Sequence, residues 1–237
     1  TETDHDREIS HPLLPHFVAE FSNEAVRCIL REYIPGQTLE QYCADRTPDE
    51  NEVRRIAMQL CEQLQYLHSL TPPVIHRDIK PQNVIIKDDG SVSLIDFGIS
   101  RPYDENGGTE TIAFGTKGFA SPEQYGFAQP DAKSDIYSLG MVMRYVANGG
   151  TLSVNAPLPP QLEEVISRAT AANPDDRYRS ASAMKAALMA MGGEENMPRR
   201  ATAAALAMDT AKRNNSVVTE QYIKPKRDDD DKNAGKT

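Results

Sequence analysis

Apolar residues along this chain follow two rhythms. Val53, Ile56, Ala57, Leu60, Leu64 and Leu67 recur at the helical period, which predicts a long helix with one buried face. Thr47-Pro48-Asp49-Glu50 reads as its capping box, with proline at the first helical position, and Pro72-Pro73 ends it. The same period returns at Ile136, Leu139, Val142, Met143 and Val146, then at Leu162, Val165, Ile166 and Ala169. A last helix is expected from about Ser182 to Met191, stopping at Gly192-Gly193. The second rhythm is shorter. Val26 to Tyr33 alternates in part and ends at the turn pair Pro35-Gly36, as a strand does. Before it, Leu13, Leu14, Phe17, Val18 and Phe21 follow the His11-Pro12 pair. From Ile99 to Ala120 neither period is present, and a loop of that length in a compact domain is usually functional or disordered. Beyond Gly193 little apolar surface remains apart from a short helical pattern near Ala203 to Met208, so disorder is expected there.

Composition narrows the class. A hydrophobic content of 39% with 26% charged residues describes an ordinary globular chain. The net charge of −9 argues against nucleic-acid binding, because phosphate repulsion is not offset. Cys28, Cys43 and Cys61 are odd in number and lack metal-ligand spacing, so they read as small hydrophobes in a reducing, cytoplasmic compartment. No apolar run is long enough for a membrane segment, and no secretory signal opens the chain. Asp228 to Lys232 reads DDDDK, either a protease-cleavage tag, which it resembles, or a chance acidic run, and does not bear on the fold.

The chemistry lies in the loops between these elements. His76-Arg77-Asp78-Ile79-Lys80-Pro81-Gln82-Asn83 sets an acid, then a lysine and an asparagine, in one short polar loop. The apolar run Val84-Ile85-Ile86 follows, then Asp96-Phe97-Gly98. This order gathers charge around a metal-bound phosphate. Gly115-Thr116, Ser121-Pro122-Glu123, Ser134-Asp135-Ile136 and Asp175-Asp176-Arg177-Tyr178 come after it. On these motifs the chain resembles the eukaryotic-type (Hanks-type) protein serine/threonine kinases from about residue 2 to about residue 190, with a bacterial flavour in Gly118 to Tyr125.

The resemblance implies an α+β, protein-kinase-like fold. Residues 1–35 would be a partial N-lobe: the end of the family's C helix, its fourth and fifth strands, and the hinge. Residues 36–192 would form a mostly helical C-lobe and 193–237 a disordered tail. ATP and Mg2+ are the implied cofactors, and a protein with a Ser/Thr acceptor is the implied substrate. Asp78 would be the catalytic aspartate, Lys80 would neutralise the transferring phosphoryl group, and Asn83 and Asp96 would hold magnesium. Thr116 would bond Asp78 and Lys80, while Ile85 would lie under adenine and Glu32 to Ile34 would offer it backbone groups. His76 and Phe97 would couple the loop to the metal site. Arg77 would grip a phosphate on Thr109 or Thr111. Asp135 would hold the catalytic-loop backbone, and Glu123 would pair with Arg177. Glu2 falls where the family's C helix carries its lysine-pairing glutamate, or it is a solvated acid near the terminus. Arg31 stands at the gatekeeper position, where it either pairs with that glutamate or narrows the pocket behind adenine.

No glycine-rich loop and no Val-Ala-Ile-Lys-type strand occur in the sequence. The expectation is therefore a kinase fragment cut within the N-lobe, transferring phosphate poorly by itself. The alternatives are a half-kinase acting as a binding or scaffold module, and a small-molecule kinase akin to the aminoglycoside phosphotransferases.

Overall fold

A computed structural model describes residues 9–22, 26–96, 101–102, 116–125, 130–153, 156–191 and 217–223, with the backbone alone at 22, 26–27, 101–102 and 217–223. Glu2, Phe97, Thr109, Thr111 and the Ala203 to Met208 pattern lie outside these residues.

Strands β1 (Phe17–Ser22) and β2 (Val26–Glu32) form an antiparallel pair, in register from Phe17↔Arg31 to Ser22↔Arg27 with a bulge at the start. The apolar run before and within β1 is divided by this pairing. Leu14 is buried, whereas Val18 and Phe21 are exposed. A turn at Pro35-Gly36 then brings the two-residue strand β3 (Gln37–Thr38) onto the sheet of the second half. Gly36 has φ 147°, and a Cβ there would meet the Ile86 carbonyl oxygen at 2.5 Å, so the close approach needs glycine. Thr38 caps helix α1 (Leu39–Ala44) through a reciprocal box with Gln41, a Thr-x-x-Gln signal independent of apolar periodicity.

Helix α2 (Glu50–Ser69) is the long helix, with Val53, Ile56, Ala57, Leu60, Leu64 and Leu67 all buried. Its cap is Asp49 rather than Thr47: the Asp49 carboxylate accepts the Glu52 N–H at 2.8 Å. Pro48 therefore precedes the cap instead of opening the helix. Asp at this position both satisfies an orphan amide and sits well in the dipole field.

After strand β4 (Val74–Ile75) the chain forms the hairpin β5 (Val84–Ile86) and β6 (Val92–Leu94), and β3 joins β5 on its other side. The outer edge of β6 is closed by side chains of α2. Gln59 Oε1 accepts the Val92 N–H at 3.0 Å and Gln63 Oε1 accepts that of Leu94 at 2.8 Å. Two glutamines one helical turn apart thus stand in for a neighbouring strand. The short strand β7 (Arg101–Pro102) pairs with β4.

Helix α3 (Ala132–Ala147) starts three residues before Asp135, because Asp131 and Ser134 form a reciprocal capping box. Helices α4 (Pro160–Ala169) and α5 (Ala181–Ala190) follow. One apolar core joins α1 to α5 with β5 and β6, and it reaches Ile9 and Leu14 near the start. Strand β8 (Val217–Ile223) returns to pair with β2. β8 falls within the stretch for which the sequence predicts disorder, and its run rich in Val, Thr, Tyr and Ile suits a sheet edge. Among the described residues no helix is long and apolar enough to cross a membrane.

Candidate active site

Two described residues other than glycine have left-handed backbone, Arg77 at φ 69° and Asp96 at φ 66°. Such a conformation costs about 1–2 kcal/mol in an L-residue and persists where surrounding bonds over-determine it. At Arg77 those bonds are visible. Asp135, fully buried in the first turn of α3, accepts the Arg77 N–H on Oδ1 at 2.9 Å and the His76 N–H on Oδ2 at 2.9 Å. His68, in the last turn of α2, reaches Oδ2 at 2.8 Å. Burial pushes the Asp135 carboxyl up, but the bond and charge of His68 and the Arg77 amide outweigh it and hold the group below its usual range. On the other side of Arg77, Gln124 Nε2 donates to the Arg77 carbonyl at 2.7 Å. Gln124 is itself fixed, since its Oε1 accepts from Ser121 N–H and Oγ–H at 3.1 Å each. The peptide groups flanking Arg77 are therefore clamped from two elements. His68 and Gln124 were missed from sequence; the signals were a histidine ending a core helix and a neutral amide after Glu123.

His76 is buried, with Nε2 3.3 Å from the Ile95 carbonyl and Nδ1 accepting the Asp78 N–H at 3.4 Å. This arrangement suits a neutral ring. Burial lowers its pKa against the opposing pull of Asp135, Asp78 and Asp96. The Ile95 N–H donates to the Asn83 carbonyl at 2.8 Å. One histidine and one backbone bond thereby join the loop of Asp78 to the strand end that carries Asp96.

The polar centre is a closed set. Lys80 Nζ lies 2.6 Å from Asp78 Oδ2 and donates to Thr116 Oγ1 at 3.0 Å, and the Thr116 hydroxyl donates to Asp78 Oδ1 at 2.9 Å. Asn83 Nδ2 donates to the Asp78 carbonyl at 2.9 Å and to Oδ2 at 3.0 Å. Thr116 thus arrives from a different segment, and four expected residues meet. The Asp78 and Lys80 side chains keep 13% and 21% exposure, enough for a second molecule to reach them.

Both Asn83 bonds use Nδ2, so its Oδ1 is left for a cation. With the Asp96 carboxylate it offers the hard oxygen donors that magnesium prefers. Among the described residues no cluster of three or more His, Cys, Asp or Glu could hold a metal by itself. A magnesium that keeps waters and phosphate oxygens needs only one or two protein ligands, so the donor set fits.

Ile34 and Ile85 are buried, and Thr38↔Ile85 pairing ties the connection after β2 to β5. The Glu32 N–H donates to the carbonyl of His16, the residue just before β1, at 2.8 Å, so that amide is already committed. Arg31 is only 2% exposed at the end of β2.

Below the loop, Arg177 meets Glu123 through two bonds, Nη1 to Oε1 at 2.6 Å and Nη2 to Oε2 at 2.9 Å. Burial alone would raise the Glu123 carboxyl; Arg177 and Ser134 turn the shift downward.

Comparison with known proteins agrees with this arrangement. The protein kinase domain family model matches residues 1–210. Serine/threonine-protein kinase PknL of Mycobacterium tuberculosis is 33% identical over 194 residues, 72% of this chain and 48% of that protein. Serine/threonine-protein kinase PknB of Mycolicibacterium smegmatis is 33% identical over 197 residues, 72% of this chain and 31% of that protein. A probable serine/threonine-protein kinase PknB of Lactococcus lactis is 30% identical over 203 residues, 75% of this chain and 32% of that protein. The chain spans less than half the length of these curated relatives. With a family model covering most of its length and the family's loop motifs folded into one polar centre, the chain belongs to the protein kinase domain family.

Proposed function

We propose that the protein of which this chain is part is a cytoplasmic serine/threonine kinase that transfers the γ-phosphoryl group of ATP to a protein hydroxyl. The observation that carries this reading is the Asp78–Lys80–Thr116 set with Asn83 beside it. A carboxylate has about four lone-pair sites, and here Oδ2 takes two donors while Oδ1 takes one. Oδ1 thus has room for one more, which is where an acceptor Ser/Thr hydroxyl would be oriented and its proton received. Lys80 would offset the charge on the transferring group, and Thr116 would hold Lys80 and Asp78 at fixed separation. Asn83 and Asp96 would hold magnesium, which when bound supplies charge neutralisation on the phosphates. Ile34 and Ile85 would enclose adenine, and Glu32 would contribute through its carbonyl side. Arg77, Asp135, Gln124 and His68 act through the loop backbone and are positioning residues. Thr109 and Thr111 remain the proposed phosphorylation sites.

The test is phosphoryl transfer from labelled ATP to Ser/Thr peptides by the full gene product, compared with its Asp78→Asn and Asp96→Ala variants. Each should lose at least ~100-fold in kcat, the scale of removing one preorganised electrostatic group. Variants as active as the parent would show that the roles are misassigned.

A further inference from the structure

Gln63 is a fully buried polar side chain in the middle of the long core helix, and none of the proposed catalytic roles falls on it. Its amide is nonetheless committed. Oε1 accepts the Leu94 N–H at 2.8 Å, and Nε2 donates to the Val92 carbonyl at 3.0 Å and to the Gln59 carbonyl at 3.1 Å. Gln59, one helical turn earlier, repeats the pattern two residues earlier on β6. Its Oε1 accepts the Val92 N–H at 3.0 Å, and its Nε2 donates to the Gly90 carbonyl at 3.4 Å. Each carboxamide therefore serves one carbonyl and the N–H two residues on, as a residue of a parallel strand does. The spacings match, since four helical residues rise about 6.0 Å and two strand residues about 6.6–6.8 Å.

Gln63 stands at the end of this ladder that faces Asp96. The next position on the stripe is Leu67, buried and apolar, which offers no partner to the Leu94 carbonyl or the Asp96 N–H. Asp96 follows with left-handed backbone at φ 66°. Between them Ile95 is held from the loop side. Its N–H donates to the Asn83 carbonyl at 2.8 Å, and His76 Nε2 lies 3.3 Å from its carbonyl. Gln63 thus grips β6 two residues before the acid, on the edge away from β5.

We propose that Gln63 is a positioning residue for Asp96: by fixing the end of β6 it sets where that carboxylate meets a magnesium ion. The assignment rests on the reading of Asp96 as a magnesium ligand. Groups behind a metal's ligand act by orienting it, and here the orienting element is the strand that carries the acid. Removing the amide leaves the Leu94 N–H and the Val92 carbonyl without their buried partner, so the strand end shifts to find another. Metal affinity falls, while a site saturated with magnesium still turns over. Gln59 grips the strand two residues farther back and does not act on Asp96.

The experiment uses the full gene product and compares Gln63→Met with Gln59→Met, each of which removes a pair of strand bonds from the same helix. The first readout is site-resolved amide hydrogen exchange without metal or nucleotide. The Ile95 N–H keeps its acceptor in both variants, so its rate reports the strand end and not a deleted bond. Core amides of α3 are the reference, because a loss of overall stability raises them alike. Relative to these, Ile95 should exchange at least about tenfold faster in Gln63→Met and as in the parent in Gln59→Met. The second readout is the magnesium concentration at half-maximal phosphoryl transfer to a Ser/Thr peptide. In Gln63→Met it should rise about tenfold, the low end for groups that orient a metal's ligand, with kcat at saturating magnesium within about twofold of the parent. Gln59→Met should leave it unchanged. The pair Gln63→Glu and Gln59→Glu repeats the comparison in case methionine prevents folding. Glutamate keeps an acceptor for the Leu94 N–H, so the Gln63→Glu shifts should have the same direction and be smaller. Equal Ile95 exchange in the Gln63 and Gln59 variants would overturn the proposal. So would a magnesium requirement that moves equally in both, or a fall in kcat with that requirement unmoved. A parent that transfers no phosphate at any magnesium concentration would overturn the kinase reading itself, and this assignment with it.

Discussion

Arg177→Met should be among the most damaging single substitutions outside the polar centre, and its cost can be worked from the bonds. In the native protein Glu123 Oε1 accepts from Arg177 at 2.6 Å and from Ser134 Oγ at 2.7 Å, while Oε2 accepts from Arg177 at 2.9 Å. Methionine leaves Oε2 without its donor and Oε1 with only Ser134, in a side chain 5% exposed. Stranding one charge of a buried pair costs about 3–5 kcal/mol. Against a typical stability of about 5–15 kcal/mol, that is about a fifth or more of the total. The reverse change should be milder. In Glu123→Gln the guanidinium keeps the carbonyls of Ala171 at 2.8 Å, Lys133 at 3.0 Å and Ala172 at 3.2 Å, and it still lies 4.9 Å from the Tyr137 ring centre. About 1–3 kcal/mol is expected there.

Urea unfolding monitored by circular dichroism reads both values, provided the slope m is unchanged. The Arg177→Met deficit should also shrink as the pH is lowered from about 8 to about 5. With its cation gone, burial raises the Glu123 carboxyl, so acid neutralises the stranded charge. Adding Glu123→Leu to Arg177→Met should recover part of the loss. The reasoning fails if Arg177→Met costs less than about 1 kcal/mol, or if the double variant loses the sum of the two single effects.

Asp135→Asn should cost about 1.5–3 kcal/mol in the same urea assay, because an amide offers one acceptor atom where the carboxylate serves the His76 and Arg77 N–H groups with two. Exchange of those two amides should rise with it, and unchanged exchange would refute the clamp. Acid should weaken the fold in two stages. His76 has a folded pKa below its ordinary 6.5, so the unfolded state takes up the proton first and stability falls as the pH drops below about 6.5. Asp135 and Glu123 are depressed from 3.8 and 4.5, so their contribution is present above those values and is lost as the pH falls through the lower folded ones. Urea midpoints across pH check this, and His76→Phe should weaken the upper stage selectively.

Much of the fold was legible because the helices here obey simple periodicity. Every apolar position named on α2 and on α4 is buried. The boundaries were less legible. At α2 two capping residues, Thr47 and Asp49, compete within three positions, and only the observed bond to Glu52 decides between them. In the candidate site, the grouping of Asp78, Lys80 and Asn83 was legible because they lie within one short loop, and that of Thr116 because it sits in a recurring motif. His68 and Gln124 were not, since His68 serves a carboxylate 67 residues away and Gln124 a backbone carbonyl 47 residues away. A side chain that serves distant peptide groups leaves no local pattern. Nor does a strand whose partner is almost two hundred residues upstream, which is why β8 was missed.

The placement of charge in this fold separates two jobs. Asp78 and Lys80 do not rely on burial; both stay partly open, and their mutual bonds supply the geometry. Asp135, Glu123 and Arg177 are almost wholly enclosed, and none is among the residues proposed to meet substrate. Buried ions contribute little net stability, because desolvation offsets most of their attraction. Their effect here is on conformation. Arg77 sits in a left-handed geometry that its side chain disfavours, and one carboxylate and one carboxamide, from segments far apart in sequence, hold its two flanking peptides there. The loop that carries Asp78 is therefore set by the helical core and not by a bound nucleotide. On that argument the loop geometry should form before any ligand arrives.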